Sequence, residues 1–277
     1  MIHIIRVDTL ENLINDLCSF LRVSQIELCN KIFEMYSECQ GSEHYYFDDE
    51  KFFDLSSNFI SKNNNGKIEE VYLCHLIRSI DCPEQLYPLH EVLTTKNALS
   101  DFLSEKGFSF KTLGQKIKLV HNGREYSESE LGTPLEDNNY HGHLAVRFGY
   151  ENEADYCLNG FLFAINPEKS TDGYYDLLKH GPEILQDLDR YFDTNLSSQF
   201  YELSNYYFAL MRVQLNQIIF GKNEEQRISH DRTKLFLNYC FQAIYKLIYV
   251  DKNGGITNPM IRLDDFDFAT VESYLKI

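Results

Sequence analysis

Apolar positions between residues 8 and 40 recur at helical spacing. Leu10, Leu13, Ile14, Leu17 and Leu21 fall on one stripe, and Ile26, Cys29, Ile32, Phe33 and Tyr36 on a second. Asp8 and Ser24 stand where helix caps belong, so this stretch predicts a helical hairpin. QGSEHYYFDD then breaks the pattern, and KFFDLSSNFISK predicts a further short helix. SKNNNGKIEE, residues 61–70, offers nothing to bury and reads as a linker. The expected division is an N-terminal helical cap, residues 1–65, and an α+β core domain, residues 66–277. A unit of roughly 60 residues with few large aliphatics is marginal alone, which favours a cap over an independent domain.

Beyond the linker the period changes. Val71–Ile77 predicts a buried strand, and Leu93–Lys106 a helix closed by Gly107. Lys116–His121 and Arg124–Tyr126 predict a hairpin turning at Asn122-Gly123, the strongest short hairpin signal there is. Residues 143–150 and 157–165 predict two strands, residues 173–210 helices, Met211–Phe220 a strand, and residues 231–249 a long helix ahead of a mixed tail. Strands and helices mix without a βαβ rhythm. The expected class is α+β, a mixed or antiparallel sheet core with flanking helices and an N-terminal helical hairpin.

Charge narrows the function classes. The chain of 277 residues carries 42 Asp+Glu against 26 Lys+Arg, a formal net charge of -16. Such a surface repels phosphate backbones, and the basic residues read as scattered pairs, which excludes a bulk nucleic-acid binder. The seven cysteines form no C-x-x-C pair and read as reduced thiols. The N-terminus lacks a signal-peptide layout, and no apolar run approaches the roughly 20 residues that span a bilayer. The expectation is a cytoplasmic protein with no membrane association.

The candidate chemistry is spread along the chain. In VYLCHLIRSID, His75 and Arg78 leave an apolar run together; an imidazole and a planar guanidinium suit a ribose hydroxyl and a phosphate. The structural alternative bonds the histidine to a backbone carbonyl and pairs the arginine with Asp81. His141 and His143 share a strand face at metal-site spacing but lack further ligands, so solvated histidines and no metal are expected. Arg147 within an apolar run must find a carboxylate (Glu151, Glu153 or Asp155) or an anionic ligand. Asn159-Gly160 inside an apolar segment marks a bulge or a close approach, with Tyr156 beside it. Glu224 and Glu225 follow a strand end, where paired acids can stabilise a developing cation, or form a solvated turn. The usual dinucleotide and triphosphate loops are absent.

Taken in order, the strand bearing His75 and Arg78, the helix ending LSEKGFSF, the mid-chain aromatics beside glycine and MRVQLNQIIF ahead of glutamates resemble the ADP-ribosyltransferase superfamily, in particular its toxin and phage-defence branch. The resemblance covers residues 71–226 and implies NAD as substrate. It puts His75 or Arg78 at the NAD anchor, Tyr156 or Phe161 at the ring stacked on nicotinamide, and Glu224 or Glu225 at the catalytic acid. The chain lacks the serine-containing middle motif of the family's arginine-led branch and any E-x-E pair at the late position. The implied acceptor is a macromolecule, protein or nucleic acid. A second expectation stands beside it: a non-enzymatic acidic interaction protein of the antitoxin, immunity or inhibitor kind, covering a basic protein surface. Abundant tyrosine and phenylalanine, 19 and 20, serve that reading, because aromatics anchor interfaces.

Overall fold

Thr9 starts the first helix, its hydroxyl accepting the N–H of Asn12 at 3.1 Å. The neighbouring Asp8 receives the Asn12 side-chain amide instead. The computed structural model describes residues 2–40, 47–132, 140–150, 155–165, 173–220, 232–250 and 258–277. After a short strand β1 (Ile2–Ile5), helix α1 (Leu10–Leu21) ends at Arg22, and α2 (Gln25–Cys39) begins at once. Ser24 caps α2 in a reciprocal box with Glu27. Helix α3 (Asp49–Asn63) follows, and only Asn64, Asn65 and Gly66 separate it from strand β2 (Lys67–Ser79). The expected linker is therefore three residues long, because Lys67–Glu70 join the strand.

The chain then passes through β3 (Gln85–Leu86), α4 (Leu89–Thr94), α5 (Ala98–Glu105), β4 (Phe108–Leu113), β5 (Lys116–His121), β6 (Arg124–Glu125), α6 (Glu128–Leu131) and α7 (Tyr140–Arg147). It continues as β7 (Asn159–Phe161), α8 (Tyr174–Lys179), α9 (Glu183–Phe192), α10 (Leu196–Leu203), β8 (Asn205–Gln214), β9 (Ile219–Phe220), α11 (Arg232–Tyr245), β10 (Met260–Arg262) and β11 (Ala269–Lys276). The class is α+β. The larger sheet has the order β3-β11-β8-β2-β7-β10-β9, with β1 beside β2, and the smaller is β4-β5-β6. β1 runs parallel to β2, whereas β7 meets β2 antiparallel through Cys74 and Phe161.

Two compact units make up the chain: residues 1–74, 160–173 and 212–261 form one, and residues 75–159, 174–211 and 262–277 the other. In the first, α1, α2, α3 and α11 bury Leu13, Leu17, Phe20, Ile32, Phe52, Phe236 and Phe241. Asn238, buried among them, donates its amide to the Ser56 hydroxyl at 3.0 Å. The second unit is built on Phe102, Phe108, Leu119, Phe148, Leu188 and Phe200, to which Leu144, Tyr156 and Leu185 contribute.

Several expected strands take other forms. Residues 143–150 give a helix and its exit: Leu144 and Phe148, four apart, enter the core on one face, and Gly149 at φ 69° ends the turn. The strand expected over 157–165 is three residues long. The one expected over Met211–Phe220 begins earlier, at Asn205, and is interrupted by a 3-10 turn at Leu215–Gln217, where the Gln217 side chain accepts the Gln214 N–H. The helix expected over 93–106 is two, because Asn97 caps a new start. The hairpin at Asn122-Gly123 forms as expected, with both residues left-handed at φ 51° and 80°.

Candidate functional site

β2 presents His75 half-buried and Arg78 buried. His75 Nδ1 lies 2.6 Å from the Asn159 carbonyl, so Nδ1 carries the proton and donates, leaving Nε2 as the bare nitrogen. Loss of water around the ring lowers its pKa, and the carbonyl bond opposes that shift.

Arg78 does not pair with Asp81, which accepts the Ser79 hydroxyl instead. Its guanidinium donates to three backbone carbonyls: Lys179 at 3.1 Å, Tyr201 at 2.9 Å and Ser204 at 3.1 Å. These lie at the C-terminal ends of α8 and α10, where helices leave carbonyls without intrahelical partners and gather partial negative charge. The guanidinium also sits 3.8 Å above the Tyr201 ring. Burial lowers its pKa, with Tyr201 and Glu202 working the other way. Its buried Nε has no hydrogen-bond partner among the described residues. The terminal nitrogens clamp two helix ends, while Nε stays unpaired.

Arg147, on α7, is held by carboxylates, chiefly from α9 rather than from the turn that follows it. Its Nε donates to Asp187 at 2.6 Å, and its terminal nitrogens reach Glu183 at 3.2 Å and Asp155 at 3.4 Å. Burial by itself would lower the guanidinium pKa; Glu183, Asp187 and Asp155 overcome it and raise it. Asp187 is only 3% exposed and also takes Arg190 at 3.4 Å. His143, on the solvent side of the cluster, stands 3.7 Å from the same carboxylate. The His141 side chain, Glu151 and Glu153 fall outside the described residues.

The Tyr156 ring is buried in the core, packed against His90, with its hydroxyl donating to the Gln115 carbonyl at 2.9 Å. Burial pushes its phenol up to about 12. Gly149 is required there, since a Cβ would stand 2.4 Å from the phenol oxygen. Phe161 is buried on β7. Glu224 and Glu225 lie outside the described residues. The Tyr156 and Phe161 rings and the Arg147 guanidinium are thus occupied by the fold, whereas His75 keeps Nε2 outside its carbonyl bond.

A different feature stands open on α2. This helix carries two apolar stripes. Leu28, Ile32, Met35 and Cys39 are buried, whereas Ile26 and Phe33 are 74% and 45% exposed. Phe33 meets the Tyr249 ring at 5.1 Å, and Tyr249 reaches the Cys29 carbonyl with its hydroxyl. Tyr249 and Val250, on the π turn Lys246–Val250, are themselves exposed. Glu27, Glu34 and Glu38 run along the helix one stripe round from Ile26 and Phe33. The signal was present in the sequence, since Ile26 and Phe33 are seven apart on a face the Leu28 stripe does not share.

Among the described residues, no group of three or more His, Cys, Asp or Glu side chains could hold a metal ion, and no helix is long and apolar enough to cross a membrane. Comparison with protein-family models, curated proteins and solved structures returns no match to this chain.

Proposed function

We propose that the chain is an interaction protein whose acidic surface covers a basic, amphipathic segment of a partner protein. One observation carries this reading: Ile26, Phe33, Tyr249 and Val250 form an exposed apolar face bordered by Glu27, Glu34 and Glu38, on a chain of net charge -16. Apolar anchors beside a stripe of mainly one charge sign, in which Lys31 pairs with Glu34, suit a segment of the opposite sign. The probe is a labelled helical peptide of leucines and lysines at amphipathic spacing, followed by fluorescence anisotropy. Binding should weaken at least tenfold in Phe33→Asp and in Tyr249→Asp, and should fail for a peptide with glutamate in place of lysine. Unchanged affinity in both variants removes the proposal.

A second reading is NAD-dependent ADP-ribosyl transfer to a macromolecular acceptor. His75 favours it, because a ring oriented through Nδ1 offers its other nitrogen in a fixed direction, as a preorganised ligand contact requires. Glu224 or Glu225 would stabilise the cationic ribose as nicotinamide leaves. Incubation with labelled NAD tests it: nicotinamide release lost in Glu224→Gln or Glu225→Gln supports the reading, and no turnover by the unaltered chain ends it.

A further inference from the structure

Residues 106–124 contain Lys106, Lys111, Lys116, Lys118 and Arg124 and not one Asp or Glu, in a chain with a large acidic excess. Folding turns this stretch into the small sheet β4-β5-β6. The register sets Lys111 opposite Lys118 and Leu113 opposite Lys116. Side chains alternate across a sheet, so Lys111, Leu113, Lys116 and Lys118 share the outer face, while Phe108, Ile117 and Leu119 enter the core. Like charges directly opposite one another cost stability. Lys118 is eased by Glu125 and Lys116 by Glu128, whereas Lys111 is exposed and, among the described residues, forms no ion pair, though its charge helps to hold the Glu125 pKa down.

The edge matters as much as the face. β4 ends the sheet. Asn122 donates its N–H to the Gly107 carbonyl, and Tyr126 donates to Leu119. Those two bonds fix the ladder's phase: Ser109, Lys111 and Leu113 turn their backbone groups toward β5, and Phe110 and Thr112 turn theirs outward. Among the described residues no backbone bond satisfies that outer row. Leu113, 63% exposed, stands at its end.

We propose that the outer edge of β4 is a docking site for an acidic extended segment of a partner protein, added as a fourth strand with a carboxylate facing Lys111. Backbone pairing gives such a strand its hold, and Lys111 selects its charge. A second copy of the same edge is disfavoured, since it would bring lysine rows together. Nucleic acid is disfavoured because the acidic chain repels phosphates and a strand edge offers hydrogen bonds that only another peptide can complete. The site shares no residue with the α2 face and does not depend on the function proposed for it.

The test is fluorescence anisotropy of the full chain with a labelled octapeptide alternating glutamate and valine. The peptide should bind, weaken at least tenfold on Lys111→Glu, and weaken as much on Thr112→Pro, which removes an outward N–H without touching the β5 ladder. The same octapeptide with alternate amides N-methylated, which leaves the protein unaltered, should lose binding. Three outcomes overturn the proposal: no binding of the unmodified peptide, equal binding of the methylated one, or tighter binding of single-stranded DNA of equal length.

Discussion

Arg147 Nε lies 2.6 Å from an Asp187 oxygen that is almost wholly withdrawn from water. A buried pair of this kind adds little over an apolar pair, but removing one partner strands the other charge at a cost of about 3–5 kcal/mol. Arg147→Met should therefore cost about 3 kcal/mol in urea denaturation, with Arg190 limiting the damage. Arg147→Met with Asp187→Leu should recover at least half of that loss. A single variant within the error of the unaltered chain would show the pair to be dispensable.

Arg78→Lys tests the clamp. An ammonium cannot reproduce a planar fork that reaches three carbonyls while lying on the Tyr201 ring. The expected loss is about 2 kcal/mol, the scale of leaving buried carbonyls unsatisfied. Exchange of the amides of α8 and α10 should accelerate more than that of α9.

Acid should weaken the fold before its carboxylates titrate. His75 has a folded pKa lowered by burial, as does His121. Above about pH 6.5 both rings are neutral in the folded and unfolded chain, so they contribute nothing to pH dependence. As pH falls below that value the unfolded chain takes up protons first, and stability declines. The denaturation midpoint should drop between about pH 6.5 and 5, and His75→Gln should flatten the drop. An unchanged slope in that variant would assign the effect elsewhere.

Gly149→Ala should be among the most damaging small changes. Its φ of 69° disfavours any Cβ, and the added carbon would meet the Tyr156 phenol oxygen and, at 2.9 Å, the Gln115 carbonyl. The backbone penalty alone is roughly 1–2 kcal/mol, so the thermal midpoint should fall by several degrees.

Much of this architecture is written locally. The helical hairpin, the strand through His75 and the Asn122-Gly123 turn follow from short-range spacing and turn chemistry, and all are present. The segment around Arg147 does not. HLAVRFG suits a strand as well as a helix, and what decides it is the distant pair Glu183 and Asp187 together with Gly149. The partners of Arg78 are over one hundred residues away, so no local pattern could announce them. The lysine sheet is hidden in the sequence for a similar reason: lysines five and two apart look scattered until a hairpin sets them side by side.

Two asparagines will age differently. The Asn258 amide accepts the Phe163 N–H and donates to the Phe163 carbonyl, standing in for a neighbouring strand, and the residue after it is Pro259. Spontaneous deamidation begins when the following backbone nitrogen attacks the side chain, and a proline nitrogen has no proton to lose, so this brace is chemically durable. Asn122, exposed and followed by Gly123, has the opposite fate. Stored protein should accumulate aspartate and isoaspartate at the turn between β5 and β6, and peptide mapping would read elapsed time at that single bond.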